Sequence, residues 1–229
     1  MNDKRRAGSA GRACAAGAIL FALLVSGSEA RNAVGYIKKS VPAGFSMMSI
    51  PFEQIGGSAQ TLDSVFGEKL PDTSEVILYT QDGGYNTYTY FEGDGWYDEN
   101  FEPAGMAQLP RGIGFWVKNT AASEIEIMLR GQVPTKDKAI TLSSGYQMVS
   151  FGFAAPTAPQ LEDGLFPNDT DELIAFGPGG FETITYFEGD GWLNEGYDPA
   201  ALVLEPGVSY WYKRVGAGTT WNQSKPYAP

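Results

Sequence analysis

The sequence predicts an all-β protein with two tandem homologous domains, each a β-sandwich or barrel-like fold with one short helical turn. The first observation is a duplication, because the heptapeptide YFEGDGW occupies residues 90–96 and again residues 186–192. The second is a series of short apolar segments of period two, separated by Gly, Pro and Asp turns. The third is that residues 60–66 are the only helix-like piece of the first copy. Such patterns are typical of sandwiches and barrels.

Alignment outward from the heptapeptide sets the domain organisation. Residues 44–52 match residues 145–153, and residues 109–118 match residues 204–213. The junction at 131–136 is short, so we expect the copies to pack together or to hold a fixed angle. The predicted parts are a signal peptide, residues 1–30; β-domain copy 1, residues 31–133; and β-domain copy 2, residues 134–229.

The elements of copy 1 follow in chain order. Residues 34–41 and 45–52 are two strands around a Pro-Ala-Gly turn. Thr61 caps one or two helical turns over residues 60–66. Residues 75–80 then begin a hairpin, which turns at Gln-Asp-Gly-Gly.

The returning strand of that hairpin, residues 85–92, alternates between two faces, and both carry aromatic side chains. Residues 113–118 and 124–129 complete the copy as two further strands. The two predicted faces of the returning strand are Tyr85, Thr87, Thr89 and Phe91 on one side, and Asn86, Tyr88, Tyr90 and Glu92 on the other.

Composition excludes several classes of chemistry. The chain contains no histidine, and its one cysteine, Cys14, lies inside the predicted signal peptide. Ser-His-Asp and Cys-His catalysis, and imidazole or thiolate metal sites, are therefore excluded after cleavage. The formal net charge of −11 argues against nucleic acid and anionic membranes as partners. We expect a non-enzymatic protein, with a carboxylate-dependent glycosidase as the residual enzymatic alternative.

The N-terminus predicts export. Basic residues at 4–6 precede an apolar stretch at 16–25, and Ser28-Glu29-Ala30 offers small residues before a cleavage point at Arg31. The apolar stretch is shorter than the roughly 20 residues that a membrane span needs. We therefore expect a secreted protein, extracellular or on the cell surface, with no membrane attachment after signal cleavage.

Both copies share a Gly-aromatic-x-Met-x-Ser segment, an aromatic hairpin and a later Gly-x-Gly/Ser-aromatic-Trp segment. Copy 2 departs from copy 1 by having Gly152 in place of Pro51 and Ser209 in place of Gly114. In these segments the chain resembles a functionally uncharacterised tandem β-domain of predicted secreted and surface proteins of bacteria. The resemblance covers nearly all of the chain after the signal peptide. It implies an exported β-module, often part of surface assemblies.

Acidic residues cluster at each hairpin tip and are candidate calcium ligands, since Ca²⁺ binds six to eight oxygen atoms. The alternative is that the Asp-Gly dipeptides serve only as turns, because they accept positive φ. No other cofactor is expected. The candidate ligands are Glu92, Asp94 and Asp98 in copy 1, and Glu188, Asp190 and Asp198 in copy 2.

Aromatic residues around the same hairpins are candidates for carbohydrate binding. A tryptophan follows the turn directly in both copies, where it would project into solvent as a stacking platform. The alternative is that Trp96 and Trp192 fold back over the core, as Trp116 and Trp211 are expected to do from their alternation. The candidate ligand-binding residues are Tyr88, Tyr90, Trp96 and Tyr97 in copy 1, and Tyr186 and Trp192 in copy 2.

These features favour a secreted, non-enzymatic structural or interaction protein that serves as a surface or extracellular assembly module. Its expected partners are other surface proteins or further copies of itself, bound through exposed strand edges. The alternative function is a carbohydrate-binding module with a glycan ligand, and calcium is a possible structural ion.

Overall fold

The computed structural model describes residues 33–56, 58–82, 84–159 and 164–227. These residues are nearly all β, with about 2% in helix, so the predicted all-β class is confirmed. The predicted signal peptide lies outside the described residues, as does most of the segment at 160–166 that aligns with the helical turn of copy 1.

The first copy is built around a five-stranded antiparallel sheet of order β2-β8-β4-β5-β6. Strands β1 and β9 pair separately, as do β3 and β7. The elements are β1 (Val34–Val41), β2 (Gly44–Ser49), β3 (Gln60–Thr61), α1 (Leu62–Val65), β4 (Glu75–Tyr79), β5 (Tyr85–Phe91), β6 (Gly95–Tyr97), β7 (Gln108–Leu109), β8 (Gly114–Asn119) and β9 (Ile125–Gln132).

The second copy repeats this arrangement with the strand order β11-β15-β12-β13-β14, while β10 and β16 form the separate pair. Each strand of its five-stranded sheet occupies the place of its sequence counterpart in copy 1. The elements are β10 (Lys138–Leu142), β11 (Gly145–Val149), β12 (Glu172–Gly177), β13 (Gly180–Phe187), β14 (Gly191–Leu193), β15 (Tyr210–Arg214) and β16 (Thr219–Gln223).

The helix of copy 1 is a single turn held by its predicted cap. Thr61 Oγ1 accepts a hydrogen bond from the backbone N–H of Ser64 at 3.3 Å, and Ser64 Oγ accepts one from the N–H of Thr61 at 2.7 Å. This reciprocal pair satisfies two N–H groups that the helix itself leaves free. Leu62 and Val65 are buried, so the turn also anchors the chain to the core.

Each copy encloses its own apolar core. Phe66 and Phe115 meet edge to face in the first core, at a centroid distance of 6.2 Å. In the second core, Phe151 packs against Phe153 and Trp221. Burial of such aromatic side chains supplies most of the driving force for folding, because the described residues contain no disulfide.

The two copies exchange equivalent contacts, which defines a pseudo-twofold axis between them. Ser49 N–H donates to the carbonyl oxygen of Gly207 at 3.2 Å, and the equivalent Ser150 N–H donates to that of Gly112 at 3.0 Å. Isolated bridges join Met48 to Val208 and Ile113 to Val149. Each copy thus covers part of the edge strand of the other.

Near this axis the backbone of copy 1 at Gly114 packs tightly against that of copy 2 at Ser209. A Cβ atom placed on Gly114 would lie 2.4 Å from the Cβ of Ser209, which is closer than real Cβ atoms approach. Ser209 occupies the position in copy 2 that Gly114 occupies in copy 1, and the two residues face each other. The serine fits because Gly114 has no side chain. Beside it, the half-buried Arg111 pairs with Glu53 at 3.3 Å and lies over the ring of Phe153 in copy 2.

Candidate functional site

The tryptophan of the repeated heptapeptide in copy 1 is buried. Trp96 is 2% exposed and Tyr90 is 3% exposed, and their rings pack 5.4 Å apart within the first core. The register of β5 and β6 places these two residues opposite each other, so they share the inner face. Of the two interpretations of Trp96, the structure supports packing over the core and contradicts projection into solvent.

The equivalent pair in copy 2 is less enclosed. Trp192 is half-buried, packs on Tyr186 at 5.5 Å and donates a hydrogen bond from Nε1 to the carbonyl oxygen of Pro159 at 2.7 Å. Tyr88 packs against the first core, and Tyr97 lies beside Phe91 at 5.7 Å. The six predicted aromatic residues therefore do not form one exposed platform.

One of the predicted acidic side chains, that of Asp98, holds a turn. Asp98 Oδ1 accepts hydrogen bonds from the N–H groups of Asn100 at 2.8 Å and Glu102 at 2.9 Å. These bonds lower the pKa of the Asp98 carboxyl below its usual value, and the bond from Glu102 has the larger effect. Asn194 Oδ1 makes the same two bonds in copy 2, to Gly196 and Asp198. An amide oxygen suffices there, so the turn requires an acceptor atom and not a charge.

No group of three or more acidic side chains that could hold a metal ion is found among the described residues. The Asp-Gly dipeptides form turns instead. The N–H of Asp94 donates to the carbonyl oxygen of Phe91, and the N–H of Asp190 donates to that of Phe187, both at 3.1 Å. The structure does not assemble the predicted calcium ligands, which were Glu92, Asp94, Asp98, Glu188, Asp190 and Asp198.

Two of the predicted residues do meet in a small polar cleft. Tyr88 and Asp98 line a cavity of about 210 Å³ with Thr87, Glu99 and Asn100. Glu99 Oε1 accepts a hydrogen bond from the N–H of Thr87 at 3.1 Å, at a point of β5 that β6 does not reach. Burial, followed by the charges of Asp98 and Glu99, raises the pKa of Tyr88.

The principal surface feature was missed by the sequence-based interpretation. Trp116 and Trp211 were expected in the core, but both are half-buried on the opposite face of their sheets. On β8 it is the neighbours Phe115 and Val117 that point inward. Large aromatic side chains lie on both faces of the strand, so apolar alternation alone does not identify the inner one.

Each of these tryptophans contacts an aromatic ring of the other copy. Trp116 meets Phe176 at 5.0 Å, and Trp211 meets Tyr79 at 4.9 Å, both at 75° between the ring planes. Phe176 and Tyr79 occupy equivalent positions at the ends of β12 and β4. The edge-to-face geometry is the one that aromatic quadrupoles favour.

Around these contacts lies a surface that we call the aromatic groove. It comprises two pockets, which we name after their tryptophans. The Trp211 pocket, of about 430 Å³, is lined by Tyr79, Tyr85, Tyr146, Ile174, Phe181, Thr183 and Trp211. The Trp116 pocket, of about 490 Å³, is lined by Phe45, Ile77, Tyr85, Thr87, Trp116, Phe176 and Phe181.

The groove is continuous across the pseudo-twofold axis, because Tyr85 and Phe181 line both pockets. It is also open to solvent: Phe45 is 47% exposed, Tyr85 50%, Tyr146 49% and Phe181 59%. Each pocket contains residues of both copies, so neither copy forms the groove by itself.

The two pockets differ in hydroxyl content. Where the Trp116 pocket has Phe45 and Phe176, the Trp211 pocket has Tyr146 and Tyr79. The Trp211 pocket therefore contains two more phenol groups, which can donate and accept hydrogen bonds.

None of the described residues that line the two pockets is charged. The lysines on the same outer faces are paired with glutamates: Lys118 with Glu75 at 2.8 Å, and Lys213 with Glu172 at 2.7 Å. The groove is thus a locally neutral surface in an acidic chain of net charge −11.

The strand edges offer less surface for a partner. The outer strands β6 and β14 contain three residues each. At the other edge of each sheet, β2 meets Val208 and β11 meets Ile113 of the other copy. Within the two five-stranded sheets, such short or partly covered edge strands are poor templates for strand addition.

Comparison with protein-family models, with curated proteins and with solved structures finds no significant match to this chain. The resemblance to a bacterial surface β-domain therefore rests on its motif residues alone. Among the described residues, no helix is long and apolar enough to cross a bilayer.

Proposed function

We propose that this chain is an exported, non-enzymatic interaction protein whose two copies act together as one binding unit. The observation that supports the proposal is the aromatic groove, which residues of both copies build and which neither copy forms alone. The duplication then has a functional role, because the second copy supplies half of the recognition surface.

The exposure of the groove supports a binding role. Four large aromatic side chains, each about half exposed, lie together on one surface. Contiguous apolar patches on a folded protein mark interaction surfaces more often than isolated exposed residues do. The pocket volumes also fall in the range of about 300–1,000 Å³ that is typical of ligand sites.

The absence of histidine from the chain and the neutral lining of the groove support a non-enzymatic role. A binding surface needs shape, apolar area and oriented hydroxyls, all of which the groove has. The export part of the proposal rests on the basic and apolar N-terminal pattern of residues 1–30.

The test uses a double variant at the shared centre of the groove, Tyr85→Ser with Phe181→Ser. Both residues are about half exposed, so the fold should persist. Purified residues 31–229 of each form are screened against arrays of extracellular peptides and of oligosaccharides. We expect the unmodified protein to bind at least one array class saturably and the double variant to lose that binding at least tenfold.

A matched control is the double variant Phe101→Ser with Tyr197→Ser. These residues are 74% and 73% exposed, and they occupy equivalent loops after β6 and β14, outside the groove. The control should bind like the unmodified protein. Binding that survives the groove variant and is lost in the control would contradict the proposal.

A further inference from the structure

We infer that the aromatic groove binds an uncharged glycan chain, with the tighter subsite in the Trp211 pocket. This inference rests on the proposed function and specifies the chemical class of its ligand. Three observations carry it: the chemistry of the lining, the local neutrality and the repetition of the two pockets.

The lining combines aromatic rings with hydroxyl groups. Thr183, Tyr79 and Tyr146 add hydroxyls to the rings of the Trp211 pocket, and Thr87 adds one to the Trp116 pocket. Aromatic rings present large, rigid apolar faces, against which the C–H face of a pyranose can pack. Hydroxyl side chains donate and accept hydrogen bonds, as sugar hydroxyls also do.

Charge argues against an anionic ligand. An anionic partner would lose water on entering the apolar groove and would meet no unpaired positive charge there. The nearby ammonium groups are paired with glutamates on neighbouring strands, Lys118 with Glu75 and Lys213 with Glu172, although Lys213 Nζ also lies 5.8 Å from the ring centroid of Tyr146. A chain of net charge −11 also repels anionic polysaccharides at long range.

The geometry suits a ligand with a repeating unit. Two similar pockets adjoin through Tyr85 and Phe181, so successive units of one chain can occupy them in turn. The pockets differ at two pairs of positions, Tyr146 against Phe45 and Tyr79 against Phe176. The extra phenol hydroxyls make the Trp211 pocket the better site for a hydroxyl-rich unit.

A proline-rich peptide is the competing occupant, since such segments dock in aromatic grooves. Its backbone carbonyls accept hydrogen bonds, but proline residues donate none. The hydroxyl groups of the groove can both donate and accept hydrogen bonds, and the hydroxyls of a sugar can satisfy both roles. The groove therefore fits a glycan better than a proline-rich peptide.

The test measures binding of defined ligands to residues 31–229 by calorimetry. The probes are neutral hexasaccharides of β-linked glucose, β-linked N-acetylglucosamine and α-linked mannose, a uronic acid hexasaccharide, and decaproline. We expect saturable binding of at least one neutral hexasaccharide. The uronic acid hexasaccharide should bind at least tenfold more weakly.

Two conservative variants test the assignment of the Trp211 pocket. Tyr146→Phe keeps the ring and removes one hydroxyl, so affinity for the neutral hexasaccharide should fall by about three- to tenfold. Phe45→Tyr adds the equivalent hydroxyl to the Trp116 pocket and should not lower affinity. Unchanged melting temperatures will show that both variants are folded.

The glycan inference is overturned if none of the neutral hexasaccharides binds, or if their binding is unaffected by both Trp211→Ala and Tyr146→Phe. Binding of decaproline that is lost in Trp211→Ala would also overturn it. That last result would leave the proposed function standing, because the groove would then be a binding surface for another ligand.

Discussion

The two copies share a strand order, but they pair the polar groups of one buried corner in different ways. This corner lies where β12 begins and β15 ends in copy 2, and at the equivalent place in copy 1. In copy 2, the carboxylate of Asp171, which is 0% exposed, pairs with Arg214 Nη1 at 2.7 Å and accepts from the N–H of Val215 at 2.6 Å. In copy 1, the equivalent positions hold Ser74 and Asn119. There Asn119 Nδ2 donates to the carbonyl oxygens of Val41 and Ser123, both at 3.0 Å.

This difference shows that the backbone requires satisfied polar atoms at the corner and does not require a particular charge. Buried polar groups are stable in a fold only when each has a partner, whether that partner is ionic or neutral. The two solutions differ in what happens when one partner is removed. A neutral group left alone loses a hydrogen bond, whereas an ion left alone is an uncompensated buried charge.

The largest expected effect follows from that asymmetry. Arg214→Leu leaves the Asp171 carboxylate buried without its counter-ion, so we expect a loss of about 3–5 kcal/mol in the free energy of unfolding. Asn119→Leu, the matched change in copy 1, should cost about 1–3 kcal/mol. Urea denaturation of both variants measures the difference.

A triple variant sharpens this comparison by giving copy 2 the corner of copy 1. It combines Asp171→Ser, Arg214→Asn and Tyr212→Val, and it should be more stable than Arg214→Leu alone because no charge is left unpaired. Equal destabilisation by Arg214→Leu and Asn119→Leu would show that the ion pair has no special role.

The second expected effect is a loss of stability in alkali that depends on copy 2. Burial raises the pKa of Tyr210 from 10.0 to about 12, whereas copy 1 has Phe115 at that position. The folded state holds this proton more tightly than the unfolded state, so the stabilisation is complete below pH 10 and is lost as the pH rises towards 12. The loss over that interval should be about 2–3 kcal/mol.

Denaturation at pH 8, 9, 10, 11 and 12 tests this expectation. Tyr210→Phe should reduce the alkaline loss, while Tyr85→Phe, which leaves Tyr210 in place, should retain it. Burial also raises the pKa of Tyr212 in copy 2 and of Tyr90 in copy 1, so a residual loss is expected. An alkaline loss of the same size in Tyr210→Phe would contradict the assignment.

The smallest expected effect concerns the contact between the copies. Gly114→Ala places a Cβ atom only 2.4 Å from the Cβ of Ser209, so the two backbones must separate. We expect the free energy of unfolding to fall by about 1–3 kcal/mol. Ser209→Gly alone should cost about 1 kcal/mol or less. In the double variant, removal of the serine side chain should restore part of the loss, and calorimetric melting will show this as non-additivity. Additive effects would mean that the two residues do not meet.

Sequence patterns predicted the class of the fold because period-two alternation and turn residues are local properties. The capped helical turn at Thr61 and the Asp-Gly turns of the two hairpins were foreseeable for the same reason. The candidate site was predicted less well. Trp96 and Tyr90, which the sequence offers as candidates for an exposed platform, are core residues, while Trp116 and Trp211, which alternation predicts inside, lie in the groove.

The reason is that β5 and β8 carry apolar side chains on both faces. Alternation separates the faces of such a strand but does not say which of them meets the core. One usable signal was present: Trp116 and Trp211 share their face with Lys118 and Lys213, and lysines are seldom fully buried. The exposure of Tyr146 and Phe181 had no such local signal.

The sequence by itself determined that the chain is a duplicated all-β protein, since repetition and periodicity are written in the order of residues. It also determined which side chains are available for chemistry. Only the tertiary structure decided that Trp96 of the YFEGDGW heptapeptide packs in the core of copy 1 and that the aromatic surface lies across the pseudo-twofold axis. That surface joins residues such as Tyr79 and Trp211, which are distant in the chain, and their meeting depends on how the two sheets pack.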